Sequence, residues 1–386
     1  MKSEKTTFPQ SACVLGVNSG TSADGIDLAL CRLEFDGKDF TGVETLATRG
    51  CTYDDDLHDR IWDLQNGRGD PEELSRVSFV LGRFYGERIA SFLKGAPEKP
   101  EVIALHGQTV GHFPPGYGEG EPATLQIGEP AVVARLTGID VVSSFREADV
   151  AAGGQGAPLT PLTDRYMFFK EGEDRIVLNI GGICNATWLP GDGSTVTGFD
   201  TGPGNTLLDT LITTRMPDAR YDLNGKYSKN GIIHEKWLSM LLSDEYLKRK
   251  PPKSTGQELY GGEYYDAIIS LSKGWGLKTK DLARTLVRLT AQSARDGCDF
   301  FPRPAKRVIV AGGGSHNPTL MKDLRQVFFP AKVEPSSRYG IDPDYREAIA
   351  FAILAFLFMN RIPVNLGQIT GSSGNVLPGR LTPHAP

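Results

Sequence analysis

Two stretches of this 386-residue chain repeat one plan, and that repeat limits the fold more than any other feature. Residues 14–18 read as a buried strand, Ser19-Gly20-Thr21-Ser22-Ala23-Asp24-Gly25 as a turn dense in glycine and hydroxyls, and residues 26–33 as a returning strand. Residues 175–180, Gly181-Gly182 and residues 183–189 follow the same order, with Asn179 and Asn185 on either side of the turn. Such a tip gathers several backbone N–H groups at one point, which suits a phosphate, although each alone also reads as a plain hairpin with Asx-type turn residues. Two copies predict two related halves with a tip in each. The length supports this, being ample for two domains with separate cores.

The second half continues into Gly198-Phe199-Asp200-Thr201-Gly202-Pro203-Gly204-Asn205. A strand ends by delivering Asp200 to a glycine-rich corner, and a helix over residues 206–216 then opens with unpaired N–H groups that favour an anion. A carboxylate beside a phosphate-sized site can take the proton of a nucleophile attacking near a phosphoryl group. The competing reading makes Asp200 the cap of the helix and the glycines a tight turn.

Other motifs are weaker singly. Asp24 and Asp27 are placed to hold Mg²⁺ directly or through water. The spacing predicts an amphipathic helix over residues 70–94 and another over 130–136 closed by Gly138. His106-Gly107-Gln108-Thr109 ends a short strand, and residues 145–161 form a long irregular connection that marks a domain boundary. Lys253 lies in a loop and reads as an anion-reaching residue or, more commonly, an exposed loop lysine; Gly312-Gly313-Gly314 lets the backbone approach a flat ligand such as adenine, with Asn317 as a helix cap, or makes a tight strand–helix turn. Glu347 opens an apolar helix over residues 345–359.

A net charge of −5 with scattered Lys and Arg argues against a nucleic-acid partner. No apolar run is long enough for a membrane span or a signal peptide, which predicts a cytoplasmic protein. Cys13, Cys31, Cys51, Cys184 and Cys298 are widely spaced and read as reduced core residues. There is no Walker lysine motif and no Gly-x-Gly-x-x-Gly opening a helix, so P-loop and Rossmann folds are disfavoured. The expected class is α/β, a two-domain actin-like ATPase fold of the sugar kinase, ribonuclease H-like kind with an ATP cleft between the domains. Its domains are expected at residues 1–148 plus 363–386 and at 149–362.

With these motifs assembled, the chain resembles the anhydro-N-acetylmuramic acid kinases over residues 14–383. The resemblance rests on Ser19 to Asp27, His106 to Thr109, Gly153-Gly154-Gln155-Gly156-Ala157-Pro158, Asn179 to Ile183, Phe199 to Asn205, Lys253-Ser254-Thr255-Gly256 and Gly312 to Gly314. It implies an enzyme that opens a 1,6-anhydro sugar with water and phosphorylates the freed O6, using ATP and Mg²⁺, in cell-wall recycling, as a cytoplasmic homodimer. Asp200 is then the catalytic base. Gly20, Thr21, Ser22, Ala23, Asp24, Gly25, Ile26, Asp27, Gly181, Gly182, Gly202, Gly204, Asn205, Gly312, Gly313 and Gly314 bind the nucleotide. Ser19, His106, Gln108, Arg146, Gln155 and Glu347 bind the sugar.

The chain departs from the family at Ser144-Phe145-Arg146-Glu147-Ala148-Asp149, where the usual pattern is Asp-Phe-Arg-Arg-Arg-Asp. It lacks the basic residue before Asp149 that would pair with a lactyl carboxylate; Arg146 or Lys253 are the substitutes within the sequence. Asn18 stands where methionine is usual and is shared with the related levoglucosan kinases. Two alternatives follow: a kinase for levoglucosan or another neutral anhydrosugar, and a non-catalytic nucleotide- or sugar-sensing module of the same fold.

Overall fold

The computed structural model describes residues 8–385 apart from Thr21, Ser22, Lys38 and Pro252. The chain forms two compact units, residues 1–167 with 345–386, and residues 168–344.

In unit 1 the strands β1 (Ser11–Asn18), β2 (Gly25–Phe35) and β3 (Phe40–Thr52) form an antiparallel meander, and β1 pairs in parallel with β4 (Val102–Leu105), which pairs in parallel with β5 (Asp140–Ser143). A short strand, Arg380–Thr382, closes the far edge. Unit 2 repeats this order. β6 (Arg175–Ile180), β7 (Ile183–Leu189) and β8 (Thr197–Pro203) are antiparallel, and β6 continues in parallel into β9 (Arg307–Ala311) and β10 (Lys332–Pro335). The duplicated order, third-second-first-fourth-fifth, is the ribonuclease H-like plan expected of an actin-like ATPase.

Residue chemistry explains the elements. β1 is buried along nearly its whole length, as a central strand covered on both faces must be. The helix Pro71–Leu93 starts where Asp70 accepts the Glu73 N–H and proline takes the first turn, and it buries Val77, Leu81, Tyr85 and Ile89. The helix Pro130–Thr137 ends on left-handed Gly138. The five cysteines are unpaired; four are buried and Cys51 is half-buried. Among the described residues no helix is long and apolar enough to cross a membrane.

The units divide at 167/168 and 344/345 instead of at 148/149 and 362/363. Two contacts account for the shift. Asp149 ties the supposed boundary loop into unit 1 by accepting from Gly156 N at 2.7 Å and from Thr370 Oγ1 at 2.7 Å. The helix Arg346–Met359 packs on β1 and β2: Gly16 approaches it so closely that an added Cβ would lie 1.8 Å from the Ala348 carbonyl oxygen. Arg346 at its start forms a buried, bidentate ion pair with Asp164.

Candidate functional site

The first tip joins β1 to β2. Asn18 and Asp27 are register partners at its base, and Asn18 Nδ2 donates to Glu347 Oε2 at 2.9 Å. Of the residues assigned to the nucleotide here, Thr21 and Ser22 lie outside the described residues. Asp24 is exposed and Asp27 half-buried, whereas Ile26, 2 % exposed, belongs to the core and offers a ligand only its backbone.

Ser19 and Gln108 were expected to touch substrate, and the structure corrects this. They are 2 % and 0 % exposed and bond each other and the tip: Gln108 Nε2 donates to the Gly20 carbonyl at 3.0 Å, and Ser19 Oγ lies 2.5 Å from Gln108 Oε1. Arg146 Nε donates to His106 Nε2 at 2.9 Å, and its Nη1 donates to the Gly156 carbonyl at 2.9 Å. His106 stacks on Phe351 with ring centroids 4.4 Å apart, and burial with the Arg146 charge holds its pKa well below the usual value. Glu347 and Glu147 both act electrostatically on the Arg146 guanidinium. The structure therefore brings Asn18, His106, Arg146 and Glu347 together in unit 1. Gln155 adjoins them through Gly156, but its Nε2 is engaged with the Pro115 carbonyl at 3.2 Å.

The second tip and Asp200 lie in unit 2. The β8 ladder shifts register between Asp200 and Gly202, a bulge that re-aims the strand end. Asp200 does not cap the helix Thr206–Arg215; the cap position is Asn205, which makes no side-chain cap bond and sends Nδ2 to the Ile180 carbonyl at 3.3 Å. Instead Asp200 is held by the loop after Pro252. The Thr255 N–H donates to Asp200 Oδ2 at 3.0 Å, Asp200 N donates to the Lys253 carbonyl at 3.3 Å, and Tyr246 Oη donates to the Asp200 carbonyl at 2.9 Å.

Lys253 is not the anion-reaching lysine the sequence suggested. It is 7 % exposed, donates to the carbonyls of Tyr246 and Leu247, and lies over the rings of Tyr246, Phe300 and Phe199 at 4.8, 5.4 and 5.9 Å. Burial lowers its pKa. Its work is to fasten the loop that grips Asp200, a role loop composition does not announce. Asn317 does cap the helix Pro318–Val327, accepting from Thr319 N and Leu320 N.

The glycines sort by what a Cβ would meet. At Gly204 it would fall 2.3 Å from the Gly181 carbonyl oxygen, so the fold itself demands glycine. At Gly181 it would meet only the Ile183 oxygen at 3.9 Å, and at Gly313 only Asn205 Nδ2 at 4.0 Å. The fold makes no demand there, and these are open cradles that a ligand can fill. Among the described residues no group of three or more His, Cys, Asp or Glu side chains could hold a metal. A donor set of one or two carboxylates, Asp24 and Asp27, fits a hard cation that arrives on phosphate oxygens and keeps its waters.

A family profile described as anhydro-N-acetylmuramic acid kinase matches residues 12–384. Proteins named anhydro-N-acetylmuramic acid kinase are 37 % identical in Salinibacter ruber, over 97 % of this chain and 96 % of the relative, and 38 % identical in Caldanaerobacter subterraneus subsp. tengcongensis, over 96 % of each. One from Thiobacillus denitrificans is also 38 % identical over 96 % of each chain. Among solved structures, an activator of 2-hydroxyisocaproyl-CoA dehydratase from Clostridium difficile with bound ADPNP gives a TM-score of 0.44 at 11 % identity, covering 90 % of this chain and 96 % of that one. With its motifs in order and the match running nearly end to end, the chain belongs to the anhydro-N-acetylmuramic acid kinase family.

Proposed function

We propose that the protein is an ATP-dependent kinase of 1,6-anhydro-N-acetylmuramic acid, giving N-acetylmuramic acid 6-phosphate and ADP. The observation that carries the mechanism is the grip on Asp200: its carboxylate is oriented by the Thr255 N–H at the bulged end of its strand. Asp200 takes a proton from a water that bonds to C1 of the sugar. The C1–O6 bond breaks, and O6 takes the γ-phosphoryl group as the bond to the ADP oxygen breaks. Water is consumed and the proton leaves on Asp200. Asp24 and Asp27 would hold magnesium, which would supply charge neutralisation on the phosphates when bound. The first tip, Gly181, Gly182, Gly202, Gly204 and Asn205 serve the phosphate chain, Gly312 to Gly314 the adenosine, and Arg146, His106, Gln155 and Glu347 the sugar.

With Lys253 turned inward, Arg146 is the cation left to meet a lactyl carboxylate, in place of the basic residue absent at Ala148. A cytoplasmic homodimer in peptidoglycan recycling completes the reading. ADP release with ATP, Mg²⁺ and either 1,6-anhydro-N-acetylmuramic acid or levoglucosan tests it. The muramic sugar is expected to drive turnover, and Asp200→Asn to lower kcat by about 10²–10⁴-fold while both ligands still bind. Turnover with levoglucosan alone would move the substrate to a neutral anhydrosugar; an unimpaired Asp200→Asn enzyme would remove the base.

A further inference from the structure

Four buried side chains in unit 1 link the core to the first tip. The Tyr85 hydroxyl lies 3.1 Å from that of Tyr53, Tyr53 Oη lies 2.7 Å from Ser19 Oγ, and Ser19 Oγ lies 2.5 Å from Gln108 Oε1. Gln108 Nε2 then donates to the Gly20 carbonyl at 3.0 Å. Tyr85 and Gln108 are fully buried, and Tyr53 is 8 % exposed.

Donor and acceptor chemistry gives the series a direction. The Gly20 carbonyl only accepts, so the Gln108 amide must turn its Nε2 there and its Oε1 toward Ser19. Oε1 only accepts, so the Ser19 proton goes to it, the Tyr53 proton to Ser19 and the Tyr85 proton to Tyr53. The Gly25 carbonyl, 3.0 Å from Ser19 Oγ, competes for the same single proton over a longer distance. Burial raises both phenol pKa values, so both protons stay in place. Hydrogen bonds aligned head to tail in a low-dielectric core strengthen one another. The far end of the series also receives the Ala23 N–H, at 3.2 Å on the Gly20 carbonyl, and the Tyr53 backbone N–H holds the Asp24 carbonyl at 3.0 Å. Both flanks of the tip are thus tied inward.

We propose that Tyr85, Tyr53 and Gln108 are positioning residues for nucleotide binding: their directed hydrogen-bond series fixes the Gly20 carbonyl toward the core, beside the Asp24 carbonyl held by the Tyr53 backbone N–H, and leaves the opposite side of the tip to the phosphates. This rests on the reading of the first tip as a phosphate site. All three side chains are buried, and Tyr85 lies on a helix whose sequence shows only amphipathic spacing.

The test uses the full-length enzyme with Tyr85→Phe, Gln108→Met and the double variant, measuring KM for ATP, KM for the anhydrosugar, kcat and Tm. Tyr85→Phe removes one oxygen and keeps the ring packed, so it carries the test by itself if Gln108→Met fails to fold. The expected result is a rise in KM for ATP of about three- to tenfold in each single variant, with kcat and the sugar KM within about twofold. In the double variant the rise falls short of the product of the two, as members of one network require. An unchanged KM for ATP in Tyr85→Phe overturns the proposal, as do equal rises in both KM values that track a fall in Tm. Asp24→Ala, at an exposed tip position, separates the two layers. If it leaves the KM for ATP unchanged, the tip is not the phosphate site and the underlying reading falls with it; if it raises KM while Tyr85→Phe does not, only the series is refuted.

Discussion

The two tips share a strand order and are held in opposite ways. In unit 1 the tip depends on a side chain, Gln108 reaching the Gly20 carbonyl, beside backbone bonds from Ala23 N and Tyr53 N at its flanks. In unit 2 it is held by backbone. Gly204 N donates to the Gly182 carbonyl at 2.9 Å, Asn205 N to the Gly181 carbonyl at 2.8 Å and Thr206 N to the Gly182 carbonyl at 3.1 Å, with Thr290 Oγ1 donating to the Gly204 carbonyl at 2.7 Å. A tip held by side chains can be loosened one hydrogen bond at a time. A tip built mainly of chain pressed on chain has fewer groups that can give way.

That contrast can be broken at Gly204. Gly204→Ala places a Cβ 2.3 Å from one backbone oxygen and 3.0 Å from another, neither of which can rotate aside. The expected loss is about 1–3 kcal/mol or more in urea unfolding, with turnover falling alongside it. Tyr85→Phe, the matching lesion behind the first tip, is expected to cost less. Near-wild-type stability in Gly204→Ala would mean that the backbone grip is slack and the contrast false.

Gly181 and Gly313 sharpen the comparison from the other side. Their added Cβ atoms would each meet one atom at ordinary contact distance, and neither residue has a positive φ. Alanine there should leave Tm unchanged or slightly raised, since it restricts the unfolded chain. If these positions are glycine because a nucleotide comes close, the KM for ATP rises by about tenfold or more in variants that fold normally. Unaltered ATP kinetics in both would leave the cradles without a ligand.

The duplicated plan was legible because it is local: a buried strand, a glycine turn and a returning strand write themselves in consecutive residues. The capping role of Asn317 and the core cysteines were legible for the same reason. What the sequence did not disclose depends on residues far apart in the chain. The Ser19 to Gln108 contact spans 89 positions and the Arg346 to Asp164 pair 182, and the second of these places the helix Arg346–Met359 in unit 1. Lys253 was misread because a Pro-Pro-Lys-Ser loop looks solvated, whereas the rings of Tyr246, Phe199 and Phe300 surround its ammonium.

The surroundings of the two tips also titrate in opposite senses. His106, just before Gln108, is 5 % exposed and kept neutral by burial and by Arg146, whose Nε it accepts. The unfolded chain takes up this proton near the ordinary histidine value and the folded one does not, so unit 1 loses stability as pH falls below about 6.5. Asp209, one turn into the helix behind the second tip, is pushed up to about 7 by burial and by Asp222. Here the folded chain holds the proton that the unfolded one releases, so the contribution to stability is lost as pH rises from about 4 through 7. Urea unfolding at pH 5 and pH 7.5 separates them. Asp209→Asn should gain more relative to wild type at pH 7.5 than at pH 5, by about 1 kcal/mol or more, whereas His106→Gln, which still offers Arg146 an acceptor, should flatten the loss at pH 5. If both variants alter the same limb of the pH profile, one of the two carries no proton of its own, and the tips differ in how they are held but not in how they titrate.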